Sequence, residues 1–170
     1  MSSRICAVSD IAEKVYAALD AMGISYSAHQ HPPIFTGDEA GEHWKNVPGV
    51  GIKNLFLRNK KGDRHYLVIL DVAKQVDLRH LVKVIGDDRF SFGSPDRLMS
   101  HLGVTPGSVS VFGLLHEGAR DVQVIVDSDL RSADRLIFHP NDNRASVSIT
   151  LRDFERFLES RPNTVRWIRL

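Results

Sequence analysis

Only one cysteine, Cys6, occurs in the 170 residues. It excludes an internal disulfide framework and makes a reducing, cytosolic compartment the expectation. Cys6 itself reads as a small apolar filler or a bystander rather than a nucleophile. No apolar run approaches the ~20 residues that a membrane span needs. Residues 1–9 hold no apolar stretch of the signal-peptide kind, so neither insertion nor export is expected. A surplus of one charge is missing too. The 22 Lys and Arg residues face 21 Asp and Glu, a net charge of +1. That argues against coating nucleic acid by bulk charge, but not against a local basic patch. There is no Walker loop, dinucleotide fingerprint or Gly-x-Ser-x-Gly elbow. Internal repeats and low-complexity segments are also absent. What remains is 42% hydrophobic and 25% charged, the balance of an ordinary globular chain. The length suits one domain over residues 1–170.

The pattern predicts mixed elements. Asp10 with Glu13 resembles a capping box, and Ile11, Val15, Leu19 and Met22 form a helical stripe up to Gly23. Residues 24–29 alternate as a half-buried strand, which His31-Pro32-Pro33 stops. Thr36-Gly37-Asp38-Glu39 opens a short helix to about Trp44. Residues 53–59 and 64–70 read as a hairpin around Lys60-Lys61-Gly62-Asp63. Asp77 and Ser94-Pro95 start helices that Gly86 and Gly103 end. Short strands are predicted near 90–92, 109–112, 122–126, 135–138 and 145–149, and a last helix after Thr150, closed by Pro162. The hairpin demands antiparallel pairs and the helices between strands permit parallel ones. The expected fold is α+β, a mixed, mostly antiparallel sheet of about seven strands with helices packed on it.

Three breaker-marked places stand at predicted strand edges, where sites often sit: the loop into Lys53, the loop 103–108, and His139 to Asn143. Lys53 follows Gly51 at the mouth of an apolar strand. It fits a pocket cation for an anion or oxyanion, and equally a solvated edge-strand lysine. Gly51 and Gly107 fit turn geometry. His29 and His31 share a strand face and, with His43 or His139, could bind zinc, but no carboxylate or thiol completes a recognisable spacing. His139 before Pro140 reads as a base or a hydrogen-bonded turn residue. Lys45, Lys53, Arg58, Lys60, Lys61 and Arg64 cluster around the hairpin. They make either a solvated face or a phosphate contact, to which Arg161, Arg166 and Arg169 could add.

In order along the chain stand His31-Pro32-Pro33 with Phe35-Thr36, Lys53-Asn54-Leu55-Phe56-Leu57, Leu102-Gly103-Val104-Thr105-Pro106-Gly107-Ser108-Val109-Ser110, and His139-Pro140 with Asn143. This ordered set resembles the YbaK/ProX family of aminoacyl-tRNA deacylases, related to the editing insertion of bacterial prolyl-tRNA synthetase. The Lys-Asn-Leu-Phe-Leu form and the length are closest to its free-standing ProX group, which clears alanine from tRNA for proline. The resemblance implies a cytoplasmic trans-editing hydrolase that needs no metal or other cofactor. Its partner would be the aminoacylated 3′ end of tRNA, with prolyl-tRNA synthetase as a possible second partner and a monomer as the default. It implies Lys53 as the lysine that orients the substrate, backbone N–H groups at Gly107 and Ser108 as oxyanion donors, and help from a ribose hydroxyl of the substrate. His31, Phe35, Thr36, Asn54, Ser110, His139 and Asn143 would line the pocket. The family's Gly-x-x-x-Pro loop here reads Gly107 to Val111, without the proline. The competing classes are a tRNA- or synthetase-binding module without catalysis and a small-molecule esterase.

Overall fold

The computed structural model describes residues 8–170; Cys6 lies outside them. Its helices are α1 (Asp10–Ala21), α2 (Gly37–Trp44), α3 (Leu78–Ile85), α4 (Pro95–Leu102) and α5 (Leu151–Glu159). Its strands are β1 (Ser27–Gln30), β2 (Val50–Arg58), β3 (His65–Asp71), β4 (Ser91–Phe92), β5 (Gln123–Asp127), β6 (Arg135–Phe138), β7 (Ala145–Thr150) and β8 (Val165–Ile168).

The helices begin where side chains satisfy orphan N–H groups. Thr36 accepts from the Glu39 N–H, and the Glu39 carboxylate returns to the N–H groups of Thr36 and Phe35, a complete capping box. Asp77, Ser94 and Thr150 cap α3, α4 and α5. Gly86 and Gly103 end α3 and α4 in the left-handed region, at φ 82° and 65°, where only glycine carries no Cβ penalty. The cap of α1 is Ser9, one residue before the expected Asp10.

Eight strands join in the order β1-β7-β6-β2-β3-β5-β8, with β4 also on β2. The β6–β2, β3–β5 and β5–β8 pairs are parallel and the others antiparallel. The eighth strand comes from the tail beyond Pro162, where none was expected. Residues 109–112 are no strand. Ser110 Oγ accepts from the Phe112 N–H and starts a tight 3-10 turn over Val111–Leu115.

Helices cover both faces of the sheet, so β3 is buried along almost its whole length rather than alternating. Leu67 and Ile69 point into the main core with Val15 and Leu19 of α1, Leu98 and Leu102 of α4, and Phe154 and Phe157 of α5. Tyr66, Val68 and Leu70 point the other way, against Leu81 and Ile85 of α3. On that second face α2 lays Ala40 and Trp44 over Ile137 of β6. Val111, which stands where the family pattern has proline, is fully buried in the main core. Among the described residues no helix is long and apolar enough to cross a membrane.

Candidate active site in the fork of the sheet

Strands β2 and β6 run parallel but pair only twice, Val50 with Leu136 and Gly51 with Ile137. Beyond that point β2 continues against β3 and β4, while β6 ends at Phe138. The sheet therefore forks, and the register brings Lys53 level with His139. The carboxyl ends of parallel strands, where neighbours diverge, are where open sheets hold ligands. A cavity of about 210 Å³ lies there, and its wall includes Phe35, Thr36, Trp44, Ile52, Lys53, Asn54, Val72, Gly107, Val109 and His139. The expectation for Lys53 changes in one respect: β2 begins at Val50, so Lys53 is inside a strand rather than at its mouth.

Gly51 serves packing rather than turn geometry. A Cβ there would lie 2.3 Å from the Trp44 ring and 3.2 Å from Val72 Cγ1. Only a glycine lets the indole lie flat on β2. The Trp44 Nε1–H donates to Ser146 Oγ at 2.7 Å, and Ser146 Oγ is also 2.7 Å from His31 Nε2. His31 Nδ1 lies 2.8 Å from the Pro32 carbonyl. The Pro32 carbonyl can only accept, so Nδ1–H donates to it, and with a neutral ring the Ser146 hydroxyl donates to Nε2. Burial, the main cause, holds the His31 pKa below the ordinary histidine value, which favours the neutral ring. His31 sits behind the cavity wall, its ring 6.0 Å from that of His139.

His139 donates from Nδ1 to the Ala145 carbonyl at 2.9 Å. Its Nε2 has no hydrogen-bond partner among the described residues and is left as a free acceptor on a residue of the cavity wall. Burial lowers the His139 pKa, with the neighbouring His31 adding to the effect. Lys53 donates from Nζ to the carbonyl of Lys74 in the loop after β3. Burial lowers its pKa and the Asp71 carboxylate opposes that. Asn54 Oδ1 is buried with no partner among the described residues, an acceptor that a ligand donor would satisfy.

Gly107 has φ 88°, and a Cβ there would meet Asn143 Nδ2 and Phe35 Cδ1 at 3.7 Å, ordinary contact. Here the left-handed backbone is the reason for glycine. Asn143 holds the segment before α2 by donating from Nδ2 to the Ile34 carbonyl, and its own carbonyl accepts the Ile34 N–H. Phe35, at the cavity rim, is 71% exposed. Four expected residues are placed differently: His31 and Asn143 are not part of the cavity wall, and Ser108 and Ser110 are drawn into local turns. The Ser108 N–H closes a turn on the Thr105 carbonyl at 3.1 Å and is not free for a ligand. Ser110 is fully buried as the cap of its 3-10 turn. Both are off the cavity wall, and Gly107 and Val109 stand there instead.

The rings of His31 and His43 stack at 5.3 Å, but His29 makes no ring contact with them. Both ring nitrogens of His31 and one of His139 already have partners. Among the described residues no group of three or more His, Cys, Asp or Glu residues could hold a metal ion. The basic cluster is largely divided into local pairs: Lys45 with Glu42, Lys61 with Asp63 and Arg64 with Asp87. Arg166 donates to the Ile85 carbonyl, and Arg169 pairs with Asp129. Sequence reasoning missed Trp44, Ile52, Val72 and Val109 in the wall and Ser146 behind it. Trp44 had a signal, a large aromatic in the last turn of a short polar helix.

Comparison with known proteins bears on this arrangement. The family model for the aminoacyl-tRNA editing domain matches residues 31–157. The prolyl-tRNA editing protein ProX of Acetoanaerobium sticklandii is 38% identical over 162 residues, covering 95% of this chain and 98% of that protein. The prolyl-tRNA synthetase associated domain-containing protein 1 of Xenopus laevis is 29% identical over 154 residues, covering 88% and 91%. Among solved structures, a candidate trans-editing enzyme for prolyl tRNA synthetase superposes with a TM-score of 0.73 at 20% identity, covering 96% of this chain and 99% of that one. That match bears on the fold alone.

Proposed function

The chain belongs to the aminoacyl-tRNA editing domain family, and from that premise we propose that it is a trans-editing deacylase for mischarged tRNA of proline. Alanine is the amino acid removed, and the bond cleaved is the ester between that aminoacyl group and the terminal ribose. The observation that carries this reading is the cavity of about 210 Å³ in the fork, with Lys53 and Gly107 in its wall. Its size lies below the ~300 Å³ at which sites for drug-sized ligands begin. It suits a small aminoacyl group with the nucleotide left outside, against Phe35.

The reaction needs few protein groups because the ester is already activated. Water adds to the carbonyl carbon, and charge develops on the carbonyl oxygen. The Gly107 N–H, which has no partner among the described residues, supplies the oxyanion donor. The tetrahedral intermediate collapses, expels the ribose oxygen, which takes up a proton, and releases free alanine and tRNA. Lys53 orients the ester and its ribose-phosphate end as a point charge. The orphaned Asn54 Oδ1 accepts from the α-ammonium of the amino acid. A free ribose hydroxyl of the substrate guides the water, so the site needs no triad. Neutral His139 offers Nε2 as a further acceptor for that water. Binding of the tRNA 3′ end follows from the same reaction, and prolyl-tRNA synthetase is the natural source of the substrate. Such a protein works in the cytoplasm, and a monomer suffices for one cavity in one sheet.

The test uses tRNA for proline charged with alanine, serine, cysteine or proline. Loss of the alanyl ester with the prolyl ester retained is the expected result. Binding of tRNA without loss of any ester would leave only a binding module. Hydrolysis of simple esters without dependence on tRNA would indicate a general esterase.

A further inference from the structure

The ammonium of Lys53 rests on a main-chain atom, the carbonyl of Lys74. Whatever fixes that carbonyl therefore fixes Lys53. The Lys74 side chain reaches Asp127 Oδ2 at 2.6 Å and Asp129 Oδ2 at 2.9 Å. The Asp127 side chain is 1% exposed. Its other oxygen accepts the N–H groups of Asp129 at 3.2 Å and Leu170 at 3.3 Å. Asp127 ends β5, paired with Ile168 of β8. Both oxygens of the carboxylate thus have partners. None of these groups reaches the cavity in the fork, and the proposed reaction uses none of them.

A buried ion pair is weak evidence for stability, since desolvation offsets much of its attraction. Its firmer consequence is geometric. Beside the clamp lies a second cavity of about 370 Å³, lined by Val50, Asp71, Lys74, Asp127 and Asp129 among others. The loop after β3 is also tied by the Lys74 N–H on the Asp71 carbonyl at 3.0 Å and the Ala73 N–H on Asp71 Oδ1 at 2.8 Å, so release of the Lys74 side chain frees the carbonyl to turn while the loop stays anchored at Asp71. We propose that Lys74 is a positioning residue for Lys53: the clamp on Asp127 and Asp129 holds the carbonyl that orients the Lys53 ammonium. Its catalytic meaning rests on the deacylase reading above, whereas its geometric content does not. The charged group facing Lys53 from its own sheet is Asp71, on β3. That carboxylate is present whether or not the clamp is closed.

The test measures pH-dependent labelling of Lys53 by acetic anhydride, read by mass spectrometry against exposed Lys14 in the same chain. Lys74→Met, Lys74→Arg and Asp129→Asn are compared with the wild type. Release of the carbonyl in Lys74→Met hydrates the Lys53 ammonium. Its labelling midpoint is expected to move up by about half a pH unit, a threefold change in the unprotonated fraction near neutrality. Lys74→Arg, which can still pair with both carboxylates, restores the wild-type curve. Asp129→Asn keeps the buried half of the clamp, so it serves if Lys74→Met does not fold, and it shifts the midpoint in the same direction by less. In parallel, kcat/KM on alanyl-tRNA is expected to fall about tenfold in Lys74→Met and to return in Lys74→Arg. A Lys53 curve unchanged in the folded variants, with only the melting temperature lowered, overturns the positioning role. Shifted labelling in a protein whose wild type hydrolyses no charged tRNA upholds the positioning role and refutes the deacylase.

Discussion

Replacing Gly51 by alanine tests the architecture of the site at a single methyl group. The new Cβ would stand 2.3 Å and 2.4 Å from two carbons of the Trp44 ring, whereas ordinary contact starts at 3.4 Å. The indole has to withdraw by about 1 Å, and it is buried on β2 with its Nε1–H bound to Ser146 Oγ at 2.7 Å. Overpacking of this kind costs ~1–3 kcal/mol, and loss of the hydrogen bond ~0.5–1.5 kcal/mol. Alanine returns ~0.5–1 kcal/mol by restricting the unfolded chain. The net loss expected is about 2 kcal/mol, read by urea denaturation. Trp44 is one of two tryptophans, so its emission should shift as Ser146 is released. In the double variant Gly51→Ala with Trp44→Leu the clash disappears, and the summed single losses should exceed the loss in the double. Deacylation should fall in Gly51→Ala, because Trp44 is part of the cavity wall. A loss under about 0.5 kcal/mol, with emission unchanged, would refute the claim that this glycine exists for the ring.

Three further outcomes are expected. Lys53→Ala should lower kcat/KM for alanyl-tRNA at least ~100-fold with the melting temperature little changed; a fully active variant removes Lys53 from the mechanism. Phe35→Ala should raise KM for charged tRNA by about 5- to 100-fold, the range of a lost base stack, and Phe35→Tyr should restore it; equal KM values in all three would show that the exposed ring contacts no base. The third outcome concerns acid. Arg97 donates to His65 Nε2 at 2.7 Å, and burial, then His101, then Arg97 lower the His65 pKa from 6.5 to about 4. Below pH 6.5 the unfolded chain binds a proton that the folded chain refuses, so this stability is complete above 6.5 and is lost as the pH falls from there towards 4. The loss is on the order of 2–3 kcal/mol, and His65→Asn should flatten the stability profile across that window. An unchanged profile would show that His65 protonates freely in the native state.

Where short-range chemistry decides, the sequence was legible. Thr36 with Glu39, Asp77, Ser94-Pro95, Gly86 and Gly103 marked helix ends that the structure keeps. Where distant partners decide, it was not. Val165 to Ile168 is a strand because β5 stands beside it, and its half-exposed positions carry little pattern. Val50 and Gly51 are strand because β6 pairs there. Val109 to Phe112 looked extended from its branched and aromatic residues, yet the local bond to Ser110 curls it. The residues of the site divide in the same way. Lys53, Phe35, Thr36, Asn54, Gly107 and His139 share one cavity wall, and that grouping came from the ordered resemblance rather than from any single spacing. Nothing local says that Trp44 touches Gly51, or that Ser146 joins Trp44 to His31, because those contacts span 7 to 115 residues of chain.

The two-rung join between β2 and β6 has a mechanical consequence. The strands on either side are each secured by a longer ladder, β2 to β3 over seven pairs and β6 to β7 over four. The halves of the sheet meet by hydrogen bonds only at the narrow strap of Val50–Gly51, while one core joins Ile52, Phe56 and Leu67 of one half to Leu136, Phe138 and Val147 of the other. The spread of the fork is therefore set by the volume of these side chains rather than by ladder rungs, and a core substitution that changes that volume is felt as a change in cleft width.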